Sequence, residues 1–180
     1  DETLVTVSTT TVGPSTSGTL TFDVQTEQNG TADITVTVTD SEGGTDSETF
    51  TLTVNAVNDD PILSSIGAQL TSEDTDKTIN LSASDVDIAT NSQTLAFSAS
   101  SSNESLVTVS TTTTGTSGTL TFDVQDDKNG TALITVKVTD SEGGSDSEEF
   151  TLIVDSVNDA PTFTKGPNIT VLEDSGPSET

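Results

Sequence analysis

The stretch "NAVNDDP" at Asn55 sets an amide and two acids, Asn58, Asp59 and Asp60, directly before Pro61, and "DSVNDAP" at Asp155 repeats the arrangement before Pro161. Other acids gather in short groups: Glu73 with Asp74, Asp85 with Asp87, Asp126 with Asp127 shortly before Asn129, and Asp140 with Glu142. The chain has 30 acidic residues against 4 basic ones, a formal charge of -26, so packing more acid into one segment is unfavourable unless a cation neutralises it. Oxygen donors from Asp, Glu, Asn and backbone carbonyls are hard ligands, and no His or Cys is present to favour a transition metal. Such a set selects calcium (Ca2+), whose six to eight flexible oxygen contacts accept ligands from several loops. Magnesium fits less well, because it demands a tight octahedron and keeps its waters.

The same charge excludes nucleic acid and anionic lipid as partners. Cys, Met, Trp, Tyr and His are all absent, which rules out disulfides, thiolate or imidazole metal sites and any His- or Cys-based catalysis. Cysteine usage alone does not separate a cytosolic protein from a large exported one. Paired carboxylates such as Asp85 and Asp87 are the one feature open to hydrolytic chemistry. Two residues at i and i+2 on a turn define no cleft, and no other catalytic constellation accompanies them, so no enzymatic activity is expected.

These acids need elements to hold them, and the sequence repeats itself. "LVTVSTT" at Leu4 returns at Leu106, "GTLTFDVQ" at Gly18 returns at Gly118, and "VTDSEGG" at Val38 returns at Val138. The period is about 100 residues. Residues 60–159 read as one complete repeat, 1–59 as the C-terminal half of an earlier copy, and 160–180 as the opening strands of a later one. The sequence reads as a window from a longer chain, with neither a signal peptide nor an apolar run of membrane-spanning length inside it.

A hydrophobic content of 29% is low, and disorder is the competing reading for so polar a chain. The alternation argues against it. Ile79, Leu81 and Ala83, then Leu95, Phe97 and Ala99, then Leu106, Val107 and Val109, then Leu120, Phe122 and Val124 mark strands with one apolar face. Ile134, Val136 and Val138, then Phe150, Leu152 and Val154, form a final pair joined by "TDSEGGSDS", whose glycines suit a turn with positive φ. No segment shows helical periodicity. About seven such strands in one repeat predict an all-β, two-sheet Greek-key sandwich with Thr and Ser facing water. In that topology the acidic groups fall at opposite poles, so each junction between repeats receives acids from both sides. Pro61, without an N–H, restrains Asp60 to an extended conformation and holds the linker taut.

"NAVNDDP", "DSVNDAP", "DVD" at Asp85 and "VTDSEGG" with its following strand resemble the cadherin-like and related immunoglobulin-like tandem repeats of giant bacterial surface proteins, including extender regions of RTX-type adhesins. The resemblance implies seven-stranded sandwiches arranged end to end, with calcium at their joints. Carried over by position, it implies that the joint before Pro61 uses Glu27, with Asn29 as a candidate, then Asn55, Asn58 and Asp59, and Asp85, Asp87 and Asp140 from the following repeat. At the joint before Pro161 the roles fall to Glu73, Asp126, Asp155, Asn158 and Asp159. The sequence departs from the family pattern in three places: Asn55 replaces a linker acid, Ala56 and Ser156 precede the linker asparagines by two, and "DVDIAT" lacks a glycine.

Three functions compete. A structural extender or fibre of an extracellular or bacterial cell-surface adhesin follows from repetition, with neighbouring repeats as partners and homotypic assembly open to exposed strand edges. A glycan- or protein-binding adhesive module is the alternative, but Phe is the only aromatic type and its alternating positions belong in cores. A hydrolase is the third. The "NGT" sites at Asn29 and Asn129 read as turn asparagines.

Overall fold

The computed structural model describes residues 3–11, 17–174 and 176. In chain order the strands are β1 (Val5–Thr11), β2 (Gly18–Val24), β3 (Gly30–Thr39), β4 (Thr45–Val54), β5 (Ile62–Leu63), β6 (Gln69–Ser72) and β7 (Lys77–Ser84). A short helix α1 (Asp87–Asn91) follows, then β8 (Leu95–Ser101), β9 (Val107–Thr114), β10 (Ser117–Val124), β11 (Gly130–Asp140) and β12 (Ser145–Asp155). Among the described residues no helix is long and apolar enough to cross a membrane.

Strands β5 to β12 form two four-stranded sheets, ordered β5-β7-β10-β9 and β6-β12-β11-β8. The opening strand is divided between them: β5 pairs antiparallel with β7, and β6 then crosses to pair parallel with β12. With that division counted as one strand, the fold is the seven-stranded, all-β, Ig-like sandwich that the alternation predicts. Apolar side chains of both inner faces meet in one core, where Val107, Leu120, Phe122, Ile134, Val136, Val138 and Leu152 are fully buried. Phe122 and Phe150 meet edge to face with centroids 6.2 Å apart. Burying each such side chain stabilises the fold by about 1.5–3 kcal/mol.

Residues 3–54 repeat part of this plan. β1 pairs with β2, and β3 pairs with β4 in the register that β11 keeps with β12, so that Ile34 faces Phe50 as Ile134 faces Phe150. Phe22 and Phe50 reproduce the edge-to-face contact at 6.2 Å. Burial differs. Val38 is 67% exposed and Phe50 42%, against 0% for Val138 and 5% for Phe150. What covers the later pair is the set β5 to β8, which has no counterpart among residues 3–54.

One expectation is corrected, and one segment carries no strand. The segment after Asp85 is helical over Asp87–Asn91, although no helix is legible in the sequence. Asp85 Oδ1 accepts the Asp87 N–H at 2.8 Å, Asn91 Nδ2 donates to Asp87 Oδ1 at 2.7 Å, and Ser92 ends the turn with φ 60°. Local side-chain bonds, and Ile88 packed on the core, hold a helix too short to show periodicity. Second, residues 156–174 form no strand, where 160–180 is expected to open a further repeat. A strand needs a ladder partner, and none among the described residues faces this segment. Its turn is nonetheless in place: Asp174 has φ 63°, matching 61° at Asp74. The expectation for residues 175 and 177–180 lies outside the described residues.

Candidate metal centres at the two linkers

The first linker is tied to the sandwich that follows it. The Asp59 N–H donates to Asp87 Oδ2 at 2.8 Å, and Asp87 is almost wholly buried. Asp85, just after β7, gives one oxygen to the Asp87 N–H, while its Oδ2 is buried without a partner. A buried carboxylate oxygen lacking a donor is costly unless a cation or water meets it. From the other side comes Glu27, in the turn between β2 and β3, held in the left-handed region with φ 58°. The Asp59 carboxylate, then burial, then Asp87 push the Glu27 carboxyl above its ordinary 4.5. Two hollows flank this meeting point. One of about 370 Å³ is lined by Glu27, Asn29, Asn55, Asp59, Asp87 and Asn91, and one of about 290 Å³ by Glu27, Asp59, Asp60 and Asp85, among others. Asn29 Nδ2 donates to Asn91 Oδ1 at 2.7 Å, which carries the contact onto α1.

Asn58 and Asp140 do a different job at this joint. Asp140 Oδ1 accepts the backbone N–H groups of Glu142, Gly143 and Gly144, closing the β11–β12 hairpin, while Oδ2 takes the Asn58 amide at 3.1 Å. Burial pushes the Asp140 carboxyl up, but the bonds from Asn58 and the three N–H groups outweigh it and hold it below its ordinary 3.8. Gln93 donates to Asn58 Oδ1. A Cβ on Gly144 would meet Asp140 Oδ2, Asp60 Oδ1 and Asn58 Nδ2, so a side chain there would have to displace these groups.

At the second linker Glu73 is buried where β6 ends. Its Oε1 accepts the Val157 N–H at 2.7 Å and its Oε2 the Asn129 amide at 3.3 Å. Asp74 (φ 61°) and Asp127 (φ 54°) both sit in the left-handed region, and Asp74 Oδ1 accepts the Asp127 N–H at 3.0 Å. Carboxylate oxygens of Asp74, Asp127 and Asp159 lie within 4.8 Å of one another. Repulsion from Asp127, then burial, then Asp74 and Glu73 raise the Asp159 carboxyl above its ordinary 3.8. Two of the chain's four basic residues are engaged elsewhere, Lys77 on the Leu70 carbonyl and Lys165 on Asn168.

The structure therefore gathers Glu27, Asp59, Asp85 and Asp87, with Asn55 on the same hollow, and separately Glu73 and Asp159. Asp126 is exposed and is not among the carboxylates that converge there. Asp127 takes the place that the sequence reading gives to Asp126, and aligning "QTEQNG" at Gln25 with "QDDKNG" at Gln125 places Glu27 opposite Asp127. Asp155 is exposed and contributes its backbone carbonyl to the Glu73 N–H at 2.9 Å. Asn158 donates to the neighbouring Asp159 carbonyl at 3.1 Å and is exposed. Sequence reasoning named Asp74 beside Glu73 but gave it no ligand role, and it passed over Asn91 and Gln93. The first was signalled by its echo in "LED" at Leu172, the second by its i+4 spacing from Asp87, and the third by nothing local. As a donor set these groups are all oxygen, crowded and negative, which suits a hard divalent cation.

No curated protein matches the chain. Among solved structures, domains 4 and 5 of the S-layer protein SbsC share 18% identity over 78% of this chain and 84% of that one, with a TM-score of 0.42. The protocadherin GammaB4 extracellular domain shares 22% over 84% of this chain and 27% of its own, at 0.48. An endo-fucoidan hydrolase of glycoside hydrolase family 107 shares 16% over 85% and 22%, at 0.42. All three are remote likenesses. The model of the bacterial Ig domain matches residues 58–153, more than half of the sequence, and the chain belongs to that family.

Proposed function

We propose that this chain is a structural extender of a bacterial extracellular or cell-surface protein, built from tandem Ig-like sandwiches whose joints bind calcium and stiffen. In this reading residues 1–59, 60–159 and 160–180 belong to three successive repeats, and the chain performs no chemistry of its own. The observation that supports it most is the convergence of carboxylates from separate elements on each linker: Glu27, Asp59, Asp85 and Asp87 on the first, Asp74, Asp127 and Asp159 on the second. Two of these carboxyls are raised by their neighbours' charge, and one oxygen is buried without a partner. Calcium bound at each joint would relieve these conditions: the first and third at the first linker, the second at the second. At the first linker it would also couple Glu27 of the preceding strands to Asp85 and Asp87 of the sandwich that follows.

Small-angle scattering tests the reading. The chain should become longer and less variable in shape in millimolar calcium than in chelator, with magnesium giving a smaller change. Superimposable profiles from folded protein in both conditions would overturn it.

A further inference from the structure

The hairpin β11–β12 repeats the hairpin β3–β4 closely, and the places where they differ are not random. Between Gly30–Val54 and Gly130–Val154 the pairs that differ are Asp33 and Leu133, Thr37 and Lys137, Thr45 and Ser145, Thr49 and Glu149, and Thr53 and Ile153. Every one lies on the outward parity of its strand, whereas each inward residue is the same in both copies. Two of the changes put an aliphatic side chain in water, which is unfavourable unless something covers it. These two are also contiguous with a third. Leu70 on β6 stands opposite Ile153 in the parallel register, and Leu133, whose partner is Thr151, is one diagonal step from Ile153. Leu70, Ile153 and Leu133 thus form a row across three strands, 55%, 40% and 44% exposed. On β3–β4 the same spot is polar, with Thr51 Oγ1 donating to Asp33 Oδ1 at 2.8 Å.

Two further changes bring opposite charges. Lys137 is one diagonal step from Glu149, whose Oε1 accepts the Thr135 hydroxyl at 3.1 Å. Lys137 itself has no hydrogen-bond or ion-pair partner among the described residues. On a chain of charge -26, the outward positions of β6, β8, β11 and β12 carry three charges, Lys137, Glu149 and Asp155. The crowded acids sit at the linkers instead. This face is therefore where a second chain of the same sign is repelled least.

We propose that the outer face of the sheet β6-β12-β11-β8 pairs with the same face of a second copy of this chain, about a two-fold axis running along the strands between β11 and β12. That axis lays Leu133 of each copy over Thr151 of the other and Ile153 over Thr131, so the two aliphatic rows cover one another. It also brings each Lys137 within reach of the other copy's Glu149. Both chains then run the same way, crossing at the roughly 30° that sheet twist imposes. In the extender reading above, such crossings tie neighbouring chains of one surface side by side. The hairpin β3–β4 would instead bring two Asp33 carboxylates together. Four strands about 4.8 Å apart, each up to 11 residues long at about 3.3 Å per residue, give a face of roughly 700 Å². That is slightly below the about 800 Å² per partner of a standard stable interface, so the pairing is weak and reversible. The linker carboxylates take no part, and the pairing is independent of calcium.

Sedimentation equilibrium of the full chain in chelator and about 0.15 M salt, up to about 1 mM protein, reads the association. A monomer–dimer equilibrium with a dissociation constant on the order of 0.1 mM is expected, changing by less than about twofold in calcium. Leu133→Asp combined with Ile153→Thr installs the residues that β3 and β4 carry in the same register, and should weaken the dimer about tenfold or more. Lys137→Glu and Glu149→Lys should each weaken it about threefold or more, and the two combined should restore it, since the exchanged charges face one another again. Far-UV circular dichroism confirms that each variant is folded. A monomer at about 1 mM overturns the pairing, as does a dimer that the Leu133→Asp, Ile153→Thr variant leaves intact. A charge-exchanged double variant no better than its singles overturns it as well, and so does association seen only in calcium, which would belong to the linkers. A dimer with these responses in a chain that shows no change of shape in calcium upholds the pairing and removes the calcium reading alone.

Discussion

The Asp59 N–H and the Asp87 carboxylate, 28 residues apart, meet at 2.8 Å, and through that bond the linker is fastened to a buried acid of the sandwich it leads into. Asp87 is in turn held by Asn91 at 2.7 Å, so its side chain links the linker to α1, while its backbone N–H binds Asp85 just after β7. Asp87→Ala should leave the Asp59 N–H and the Asn91 amide without their acceptor and cost about 1–3 kcal/mol. Chemical denaturation in chelator checks the figure. Calorimetry should show the first calcium site weakened more by this change than by Thr135→Ala, which alters an outward strand residue.

The second linker separates two adjacent acids. Asp127→Ala should lower calcium affinity there by about tenfold or more, since it removes one of three converging carboxylates, and Asp126→Ala should change it little. Titration calorimetry of both variants decides between them. The opposite ranking would return the site to the assignment made from sequence position.

Acid should act in two stages on the metal-free chain. The Glu27 and Asp159 carboxyls are raised by neighbouring acids, so their ionised forms oppose the folded joints at neutral pH. That opposition disappears as pH falls through their raised values, and mild acid should order the linkers. Asp140 is shifted the other way: its contribution is present above the ordinary carboxylate value and lost as pH falls through its depressed one, opening the β11–β12 hairpin. Carbon-detected titration of the three side chains checks both signs. Calcium should bring Glu27 and Asp159 back toward or below their ordinary values.

Phe50 and Phe150 form an internal comparison. Phe150→Ala, in a closed core, should cost about 3–5 kcal/mol in the urea unfolding of the complete sandwich. Phe50→Ala removes a ring that is 42% exposed and should leave that transition unmoved. Equal effects of both on one transition would mean that residues 3–54 unfold together with the sandwich.

The hairpin glycine that faces the linker gives a steric test. Gly144→Ala would drive a methyl onto Asp140, Asp60 and Asn58, so it should loosen the first joint, while Gly143→Ala strains the hairpin through its φ of 104° instead. Hydrogen exchange at Asp59 and Asp60 should rise in the first variant only.

By itself the sequence determined the strands, because alternation of Val, Ile, Leu and Phe with Thr and Ser is set by the two-residue period of an extended chain and needs no knowledge of partners. It determined the donor chemistry as well, since an all-oxygen, cysteine- and histidine-free set leaves few cations to choose from. Tertiary structure alone decided which of these residues meet. Phe22 and Phe122 share a sequence context, yet one is half-exposed and the other buried, because burial depends on neighbouring strands that local pattern does not encode. Asp126 and Asp127 are adjacent and of one residue type, but it is Asp127, in the left-handed region, whose carboxylate lies with those of Asp74 and Asp159. The short α1 and the division of the opening strand between two sheets arise the same way. Contacts such as Val157 to Glu73, 84 residues apart, depend on how loops at one pole converge once the sheets have packed, and sheet packing is a property of the whole sandwich.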